Sequence, residues 1–239
     1  MKEVAIIILT HNAPEFVKET LETLNNITDA EDLSKCEIIV YDNASEPETI
    51  KILKNLTSRG FIDKIFFSDK NLLFAGGNNA AIEMASSDIK YYLLLNSDIK
   101  INDPKWLRIL LNVKKEDCYN VVSYGTCTNP TRADGYCFLV DKHLYDKYKL
   151  DESYQWWWSV TKLQANILKS GGKILAFKNH ETLIHHYGGA SGKDFKDAKG
   201  MNIDITEVKS WFESNKNEVI VRKASVLNGM ISMVNKYRK

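Results

Sequence analysis

The fold of this chain is decided by two motifs, Asn71-Leu72-Leu73-Phe74-Ala75-Gly76-Gly77-Asn78-Asn79 and, after a short amphipathic segment, Leu93-Leu94-Leu95-Asn96-Ser97-Asp98. The second motif is an apolar run that ends in a carboxylate, as a buried strand does when it reaches the edge of a sheet. Sheets of α/β proteins bind their ligands at the carboxyl ends of the strands. Asp98 is therefore predicted to lie where a ligand binds.

The segments around these motifs predict an α/β fold. Short apolar runs at residues 4–9, 37–41, 64–67 and 91–95 are typical of buried strands. Segments with apolar residues at helical spacing separate them, including a helix predicted at residues 80–85. This alternation indicates βαβ units and a mostly parallel central sheet. Ser45, with Glu48 in capping-box spacing, is expected to cap the helix after the second strand.

Composition bounds the class of protein. With 239 residues, 44% hydrophobic and 26% charged, the chain is typical of a soluble globular protein. A net charge of +1 gives no general attraction to nucleic acid or acidic lipid. No apolar run approaches the roughly 20 residues of a membrane helix, and no signal-peptide pattern is present, so a cytoplasmic location is expected. The cysteines lack paired spacing, which favours free thiols over a zinc site.

The domain organisation is predicted from a change in composition. Residues 1–192 are expected to form one α/β domain. Residues 193–239 are lysine-rich and are expected to form a partly helical C-terminal extension, with an amphipathic stretch over residues 219–234.

Polar turns follow the first two predicted strands, Thr10-His11-Asn12 after one and Asp42-Asn43-Ala44-Ser45 after the other. Together with the two motifs above, these turns resemble the inverting family 2 glycosyltransferases, in particular rhamnosyltransferase-like members. The resemblance implies the GT-A fold, a Rossmann-like fold of nucleotide-diphospho-sugar transferases. It differs at Leu73, where the family pattern has glycine.

The resemblance implies a set of residues that bind the nucleotide sugar: Thr10, His11, Asn12, Asp42, Asn43, Ser45, Gly76, Gly77, Asn78, Asn96, Ser97 and Asp98. Asp42 is expected to accept from uracil N3–H, because a carboxylate only accepts; the alternative is a helix cap. Gly76 and Gly77 are expected to allow close approach of the backbone.

A divalent metal site is also implied. Mg²⁺ or Mn²⁺ with oxygen ligands neutralises a departing diphosphate, and Asp98 is the expected first ligand. The segment His185-His186-Tyr187-Gly188-Gly189-Ala190-Ser191 resembles the part of the family that closes the donor site, so His186 is the expected second ligand. A packed, hydrogen-bonded histidine pair is the alternative.

The expected catalytic base is missing. The family presents an acidic pair that Ser159-Val160 replaces here, and Lys162 stands in place of a later acid. Valine cannot take a proton from the acceptor hydroxyl. Three other acids are candidates for that role: Asp134 in the family-like segment Asp134-Gly135-Tyr136-Cys137, Asp151 and Glu152.

The three tryptophans Trp156, Trp157 and Trp158 are predicted to form an acceptor platform, because aromatic faces stack on sugars and bases. Core packing is the alternative.

The sequence therefore predicts inverting transfer of a sugar from a nucleoside-diphosphate donor, expected to be UDP-linked, to a hydroxyl of a glycan or another acceptor. One alternative is a non-catalytic sugar-nucleotide-binding partner protein that has lost its base. Another is a glycosyltransferase that acts on a modified base in DNA, suggested by the tryptophans and the lysine-rich tail. The sugar, the acceptor and the oligomeric state are not fixed by the sequence.

Overall fold

The apolar runs form the centre of a sheet in the computed structural model, which describes residues 2–189 and 200–224. The strands of this eight-stranded sheet are β1 (Val4–Thr10), β2 (Cys36–Asp42), β3 (Lys64–Phe67), β4 (Tyr91–Leu95), β6 (Val121–Tyr124), β9 (Cys137–Asp141), β10 (Ile174–Lys178) and β12 (Val219–Lys223). Two small antiparallel pairs lie beside it, β5 (Ile99–Ile101) with β11 (Ile184–His186) and β7 (Thr126–Cys127) with β8 (Arg132–Ala133).

The strand order of the large sheet is β3-β2-β1-β4-β9-β6-β10-β12. Its neighbours are parallel except where β9 pairs with β4 and β6, so β9 alone runs in the opposite direction. The predicted α/β fold with a mostly parallel sheet is confirmed. Because β9 is reversed, its beginning lies at the edge where β1, β2 and β4 end.

Helices cover both faces of the sheet: α1 (Pro14–Ile27), α2 (Ala30–Leu33), α3 (Pro47–Ser58), α4 (Leu73–Ile82), α5 (Trp106–Glu116), α6 (Lys142–Tyr148), α7 (Trp157–Lys169) and α8 (Ile205–Phe212). Side chains alternate along β1. Ile6 and Ile8 pack in a cluster with α1, α3 and α5, whereas Ile7 packs in a second cluster with α4, α6 and α7. A strand covered on both faces must be apolar throughout, which explains the continuous runs in the sequence.

Two predicted helix boundaries are wrong. Ser45 does not cap α3: the helix begins at Pro47 with Glu46 at the cap position and no side-chain cap bond. Proline suits that first position because its missing N–H is not needed there. The helix predicted at residues 80–85 is the end of α4, which begins at Leu73 and so includes the glycine pair.

In the C-terminal part, residues 200–224 contain the helix α8 and the strand β12. The stretch over residues 219–234, predicted to be amphipathic, begins with β12, an edge strand paired with β10. Residues 225–239 lie outside the described part of the chain. The division at residue 192 stays a prediction.

Within the described ranges, no helix has both the length and the apolar character needed to cross a membrane.

Candidate functional site

A cavity of about 560 Å³ opens at the edge of the sheet where β1, β2 and β4 end and β9 begins. Its lining comprises Leu9, His11, Asn43, Asn71, Leu73, Phe74, Asn96, Ser97, Asp98, Cys127, Arg132, Asp134, Gly135, Tyr136, Trp156, Trp157, Val160, His186, Gly188, Gly189 and Met201. Residues far apart in sequence meet here because the strands that carry them share one sheet. The cavity is lined by members of each predicted group of residues: those expected to bind the nucleotide, those expected to bind the metal, the acids considered as the base, and the tryptophans expected to contact the acceptor.

The turn after β4 places Asp98 beside His186. In the β5–β11 ladder His186 is opposite Ile99, the residue after Asp98. His186 Nε2 lies 3.2 Å from Asp98 Oδ1. The turn is fixed by the N–H of Ile99, which donates to the Thr20 hydroxyl of α1 at 2.9 Å, and by the N–H of Asn96, which donates to the Tyr136 carbonyl at 2.8 Å.

This pair fits a divalent metal ion. In octahedral coordination with bonds of about 2.1 Å, adjacent ligands lie about 3 Å apart, close to the separation of the two side chains. The described residues contain no group of three or more His, Cys, Asp or Glu arranged for a metal. An ion held by Asp98 and His186 would take its other ligands from water, from a ligand's phosphates or from nearby amide and carbonyl oxygens of the chain.

Tyr136 fixes the orientation of the His186 ring. The two rings stack with centroids 4.3 Å apart and planes 19° apart. The Tyr136 hydroxyl and His180 Nε2 are in turn joined by a hydrogen bond. Burial raises the pKa of Tyr136 and lowers the pKa of His180, so both groups stay neutral and keep this hydrogen bond.

The loops after β1 and β2 are joined to each other by polar residues. Asp42 is fully buried and does not line the cavity. Its carboxylate accepts from the Thr10 hydroxyl at 2.9 Å and from the Ser45 N–H at 3.0 Å. Ser45 Oγ accepts from the Asn12 N–H at 2.7 Å. Thr10, Asn12, Asp42 and Ser45 therefore brace the two loops, and in this conformation Asp42 does not face a base.

Two residues of these loops do face the cavity, His11 and Asn43. His11 Nδ1 donates to the Asn43 carbonyl at 2.8 Å. The Asn43 amide holds the start of α4: Nδ2 donates to Asn71 Oδ1 at 2.6 Å and to the Leu73 carbonyl at 3.2 Å, and Oδ1 accepts from the Leu72 N–H at 2.7 Å. Leu73 has φ 58°, a left-handed conformation. Asn43 thus stabilises a bend that the family pattern builds with glycine.

Gly76, Gly77 and Asn78 lie within α4 and do not line the cavity. A Cβ on Gly77 would lie 2.4 Å from Leu9 Cδ1, so this glycine lets α4 pack closely on β1. Asn78 Nδ2 donates to the Phe74 carbonyl one turn earlier. Gly77 allows a close approach, but of the helix to a strand, whereas a Cβ on Gly76 would lie 3.3 Å from Leu72 Cβ and 3.6 Å from Glu152 Oε2.

Of the acids considered as bases, Asp134 alone lines the cavity. Its Oδ1 accepts from the Gly135 N–H at 2.7 Å, and its backbone is held by bonds to Gly125 and Ser123. Asp151 accepts from the Ser153 N–H, and Glu152 accepts from Asn79 of α4.

Val160, where the family resemblance leads us to expect the base, lines the cavity. It is 1% exposed, and a Cβ on Gly135 would lie 3.0 Å from Val160 Cγ2. Valine therefore fills the space between α7 and the turn that carries Asp134.

The tryptophans divide into two groups. Trp156 and Trp157 line the cavity, and Trp157 is 46% exposed. Trp158 turns away and donates from Nε1 to the Met201 carbonyl at 2.8 Å. Two of the three tryptophans thus line the cavity.

Several lining residues were not anticipated, among them Arg132, Tyr136 and Cys127. Arg132 and Tyr136 each lie within two residues of Asp134, so proximity to that acidic turn was the available signal. A single arginine near a turn is otherwise typical of an exposed surface.

A model of the family "Glycosyl transferase family 2" matches residues 5–180. The chain belongs to glycosyl transferase family 2. No curated protein matches it significantly in sequence.

Among solved structures, this family 2 chain is similar to the mannosyltransferase PcManGT from Pyrobaculum calidifontis in complex with GDP-Man and Mn²⁺, with a TM-score of 0.65 and 14% identity over 80% of this chain and 58% of the other. It is also similar to residues 1–349 of S. aureus TarS in complex with UDP-GlcNAc, with a TM-score of 0.56 and 16% identity over 69% of this chain and 54% of the other. The chain thus spans less than two thirds of either protein. The likeness confirms the GT-A fold.

Proposed function

We propose that this family 2 chain transfers a sugar from a nucleoside-diphosphate donor to an acceptor hydroxyl with inversion. The observation that carries the proposal is the Asp98–His186 pair, 3.2 Å apart at the carboxyl end of β4 and inside the cavity. A cavity of about 560 Å³ is within the usual range for small-molecule sites. The solved relatives with GDP-Man and UDP-GlcNAc support a nucleotide sugar as the donor.

Asp98 and His186 are the proposed protein ligands of Mn²⁺ or Mg²⁺. A bound divalent ion supplies charge neutralisation to the departing diphosphate. The chain's own contribution is to hold the two ligands in place, through the β5–β11 ladder and the ring of Tyr136.

The nucleoside is proposed to be uridine, held beside His11 and Asn43. Asp42 acts here by bracing the loop that carries Asn43, since its oxygens already accept from Thr10 and Ser45.

Asp134 is the proposed general base. Inversion by direct displacement requires a group that removes the acceptor proton on the side opposite the leaving diphosphate. Asp134 is supported because it lines the cavity and adjoins Gly135, which packs on Val160 where the family carries its base. Trp156 and Trp157 lie nearby as a surface for the acceptor.

A sugar-nucleotide-binding partner protein without catalytic activity is the second candidate. The observation that favours it is Val160, which is buried at the expected base position. Among the described residues, only Trp156 and Trp157 bear on a DNA base as acceptor, and they suit a sugar acceptor equally; residues 193–199 and 225–239 of the lysine-rich tail lie outside the described residues.

Calorimetry with UDP-, GDP- and dTDP-sugars, with Mn²⁺ and with a chelator, tests the proposal. The unmodified protein is expected to bind a UDP-sugar only with the ion, and to release UDP on turnover. Asp98→Ala is expected to weaken binding and to remove its dependence on Mn²⁺, because a diphosphate without a cation is repelled by nearby acids. The exposed Asp88→Ala is the control. Equal affinity with and without chelator in the unmodified protein would refute the metal role. Donor binding without release of UDP would favour the binding protein.

A further inference from the structure

Arg132 presents a buried positive charge to the cavity. The residue is 8% exposed and lines the cavity wall. Its Nη1 donates to the carbonyls of Thr128 at 3.1 Å and Pro130 at 3.2 Å, and its guanidinium lies over the ring of Trp158, 5.5 Å from the centroid. These contacts fix the plane of the guanidinium without neutralising its charge.

The other edge of this guanidinium is open. A guanidinium has five N–H groups, of which Nε and Nη2 carry three. Within the described ranges, neither nitrogen makes a hydrogen bond and no carboxylate lies within 4.0 Å of Arg132. In the part of the chain that the structure describes, three fully buried side-chain polar atoms lack a hydrogen-bond partner: Thr49 Oγ1, His180 Nδ1 and Asn215 Oδ1. Neither Nε nor Nη2 of Arg132 is one of them. Both nitrogens are therefore accessible, in a side chain that lines the cavity.

Such an arrangement is suited to an oxyanion. A buried charge without a counter-ion is unfavourable, and the planar fork of arginine binds phosphate or carboxylate through two parallel hydrogen bonds. The site is also rigid, because Gln164 of α7 accepts from the N–H of Ala133 at 2.8 Å and donates to its carbonyl at 3.0 Å.

The position of Arg132 assigns this oxyanion to the acceptor rather than to the donor. Its strand, β8, packs against α7, β10, β7 and β6. In the large sheet β10 is three strands and β6 two strands away from β4, about 14 Å and about 10 Å at the usual strand spacing, and Asp98 lies in the turn after β4. Asp134 lies two residues after Arg132 in the sequence, which is roughly 7 Å along an extended backbone.

We infer that the acceptor carries a phosphate or carboxylate group, that Arg132 binds this group, and that the hydroxyl to be glycosylated lies a few bonds away at Asp134. The inference rests on the proposed function and specifies its acceptor class. Arg132 is a positioning residue, because it holds a part of the acceptor that does not react.

Binding of matched charged and neutral ligands to the Mn²⁺- and UDP-loaded protein tests this inference. The pairs are glucose 6-phosphate against glucose, glycerol 3-phosphate against glycerol, and glucuronate against glucose. The unmodified protein is expected to bind a charged member at least about tenfold more tightly, because a hydrogen bond to a charged group contributes enough for roughly a ten- to hundredfold change. The phosphate and carboxylate pairs show which oxyanion fits.

Arg132→Gln is expected to remove the affinity advantage of the charged ligand and to leave UDP affinity within about twofold. Arg132→Lys keeps the positive charge but not the planar fork, so it is expected to retain part of the affinity advantage of the charged ligand. Arg59→Gln, on the surface away from the cavity, is the matched control. The comparison of charged and neutral ligands is repeated without nucleotide, so that it gives a result even if UDP does not bind. Failure to bind UDP would refute the proposed function and not this inference.

Three outcomes overturn the inference: equal affinity for charged and neutral ligands in the unmodified protein, an advantage that survives in Arg132→Gln, or a loss of UDP affinity as large as the loss of ligand affinity. If Arg132→Gln does not fold, the unmodified protein and Arg132→Lys decide the question.

Discussion

The most informative test of the site moves the proposed catalytic carboxylate from position 134 to position 160. Asp134→Asn keeps the shape of the side chain and removes its ability to take a proton. A positioned base contributes about 10²–10⁴-fold to a rate, so transfer is expected to fall by that factor while donor affinity stays within about twofold. Adding Val160→Asp to this variant places a carboxylate across Gly135 from the original one, and at least about tenfold of the lost rate should return.

The second substitution has a predictable effect on stability. Val160 is 1% exposed, so losing its apolar burial costs about 1.5–3 kcal/mol, and a buried polar group adds about 1–3 kcal/mol. At 2–4 °C per kcal/mol for a chain of this size, Tm should fall by roughly 5–24 °C. Val160→Asn is the matched control, because asparagine has a shape similar to that of aspartate and cannot act as a base.

The pH dependence separates the two Val160 variants. Burial raises the pKa of a carboxyl, so Asp at this position binds its proton more tightly in the folded state than in the unfolded state. Stability of Val160→Asp relative to Val160→Asn is therefore expected to fall as pH rises from about 4 through the raised pKa. The restored rate should increase over the upper part of the same range, as the carboxylate forms.

The assay is release of UDP from a UDP-sugar in the presence of acceptor, with donor affinity and Tm measured on every variant. Asp151→Asn and Glu152→Gln are expected to retain the rate of the unmodified protein, because neither acid lines the cavity. The reasoning is refuted if Asp134→Asn transfers at the unmodified rate. It is refuted equally if Val160→Asn restores as much rate as Val160→Asp.

Two further predictions concern the loops and the aromatic residues. Asp42→Ala is expected to weaken UDP and CDP equally, by leaving the Thr10 hydroxyl and Ser45 N–H without an acceptor; a loss confined to UDP, measured by calorimetry, would show that Asp42 reads the base. Burial lowers the pKa of His180, so the folded state disfavours protonation of this side chain. Tm should therefore fall as pH drops below about 6.5. His180→Phe should lessen that fall in a thermal melt, His143→Gln should not, and an unchanged slope in His180→Phe would contradict this account.

The central sheet was predictable because its information is local. A strand covered on both faces must be apolar at every position, so residues of β1, β2 and β4 identify themselves without knowledge of their neighbours. Asp98 was predictable for a similar reason, since a carboxylate directly after such a strand has to lie at the sheet edge. Its pairing with His186 depends on the β5–β11 ladder across more than eighty intervening residues and came from family resemblance.

Other features depended on packing that a sequence does not display. Leu73 has a positive φ that a leucine rarely adopts, and the bonds from Asn43 that hold it there could not be read from spacing. Asp42 reads as an exposed polar residue after a strand, yet the Thr10 and Ser45 donors turn it inward. Arg132 reads as an ordinary surface arginine until Trp158 and two carbonyls enclose it.

The side chain of Asn43 joins the loop after β2 to the beginning of α4 through hydrogen bonds, so the two segments are expected to move together. One amide bonds to Asn71, Leu72 and Leu73 while its own backbone carbonyl holds His11. If the donor contacts His11 as proposed, the turn at Leu73, which lines the same cavity, should become more rigid when the donor binds. In hydrogen exchange, the amide of Leu72, which donates to Asn43, should then open together with the loop around Asn43 and exchange more slowly when the donor is bound.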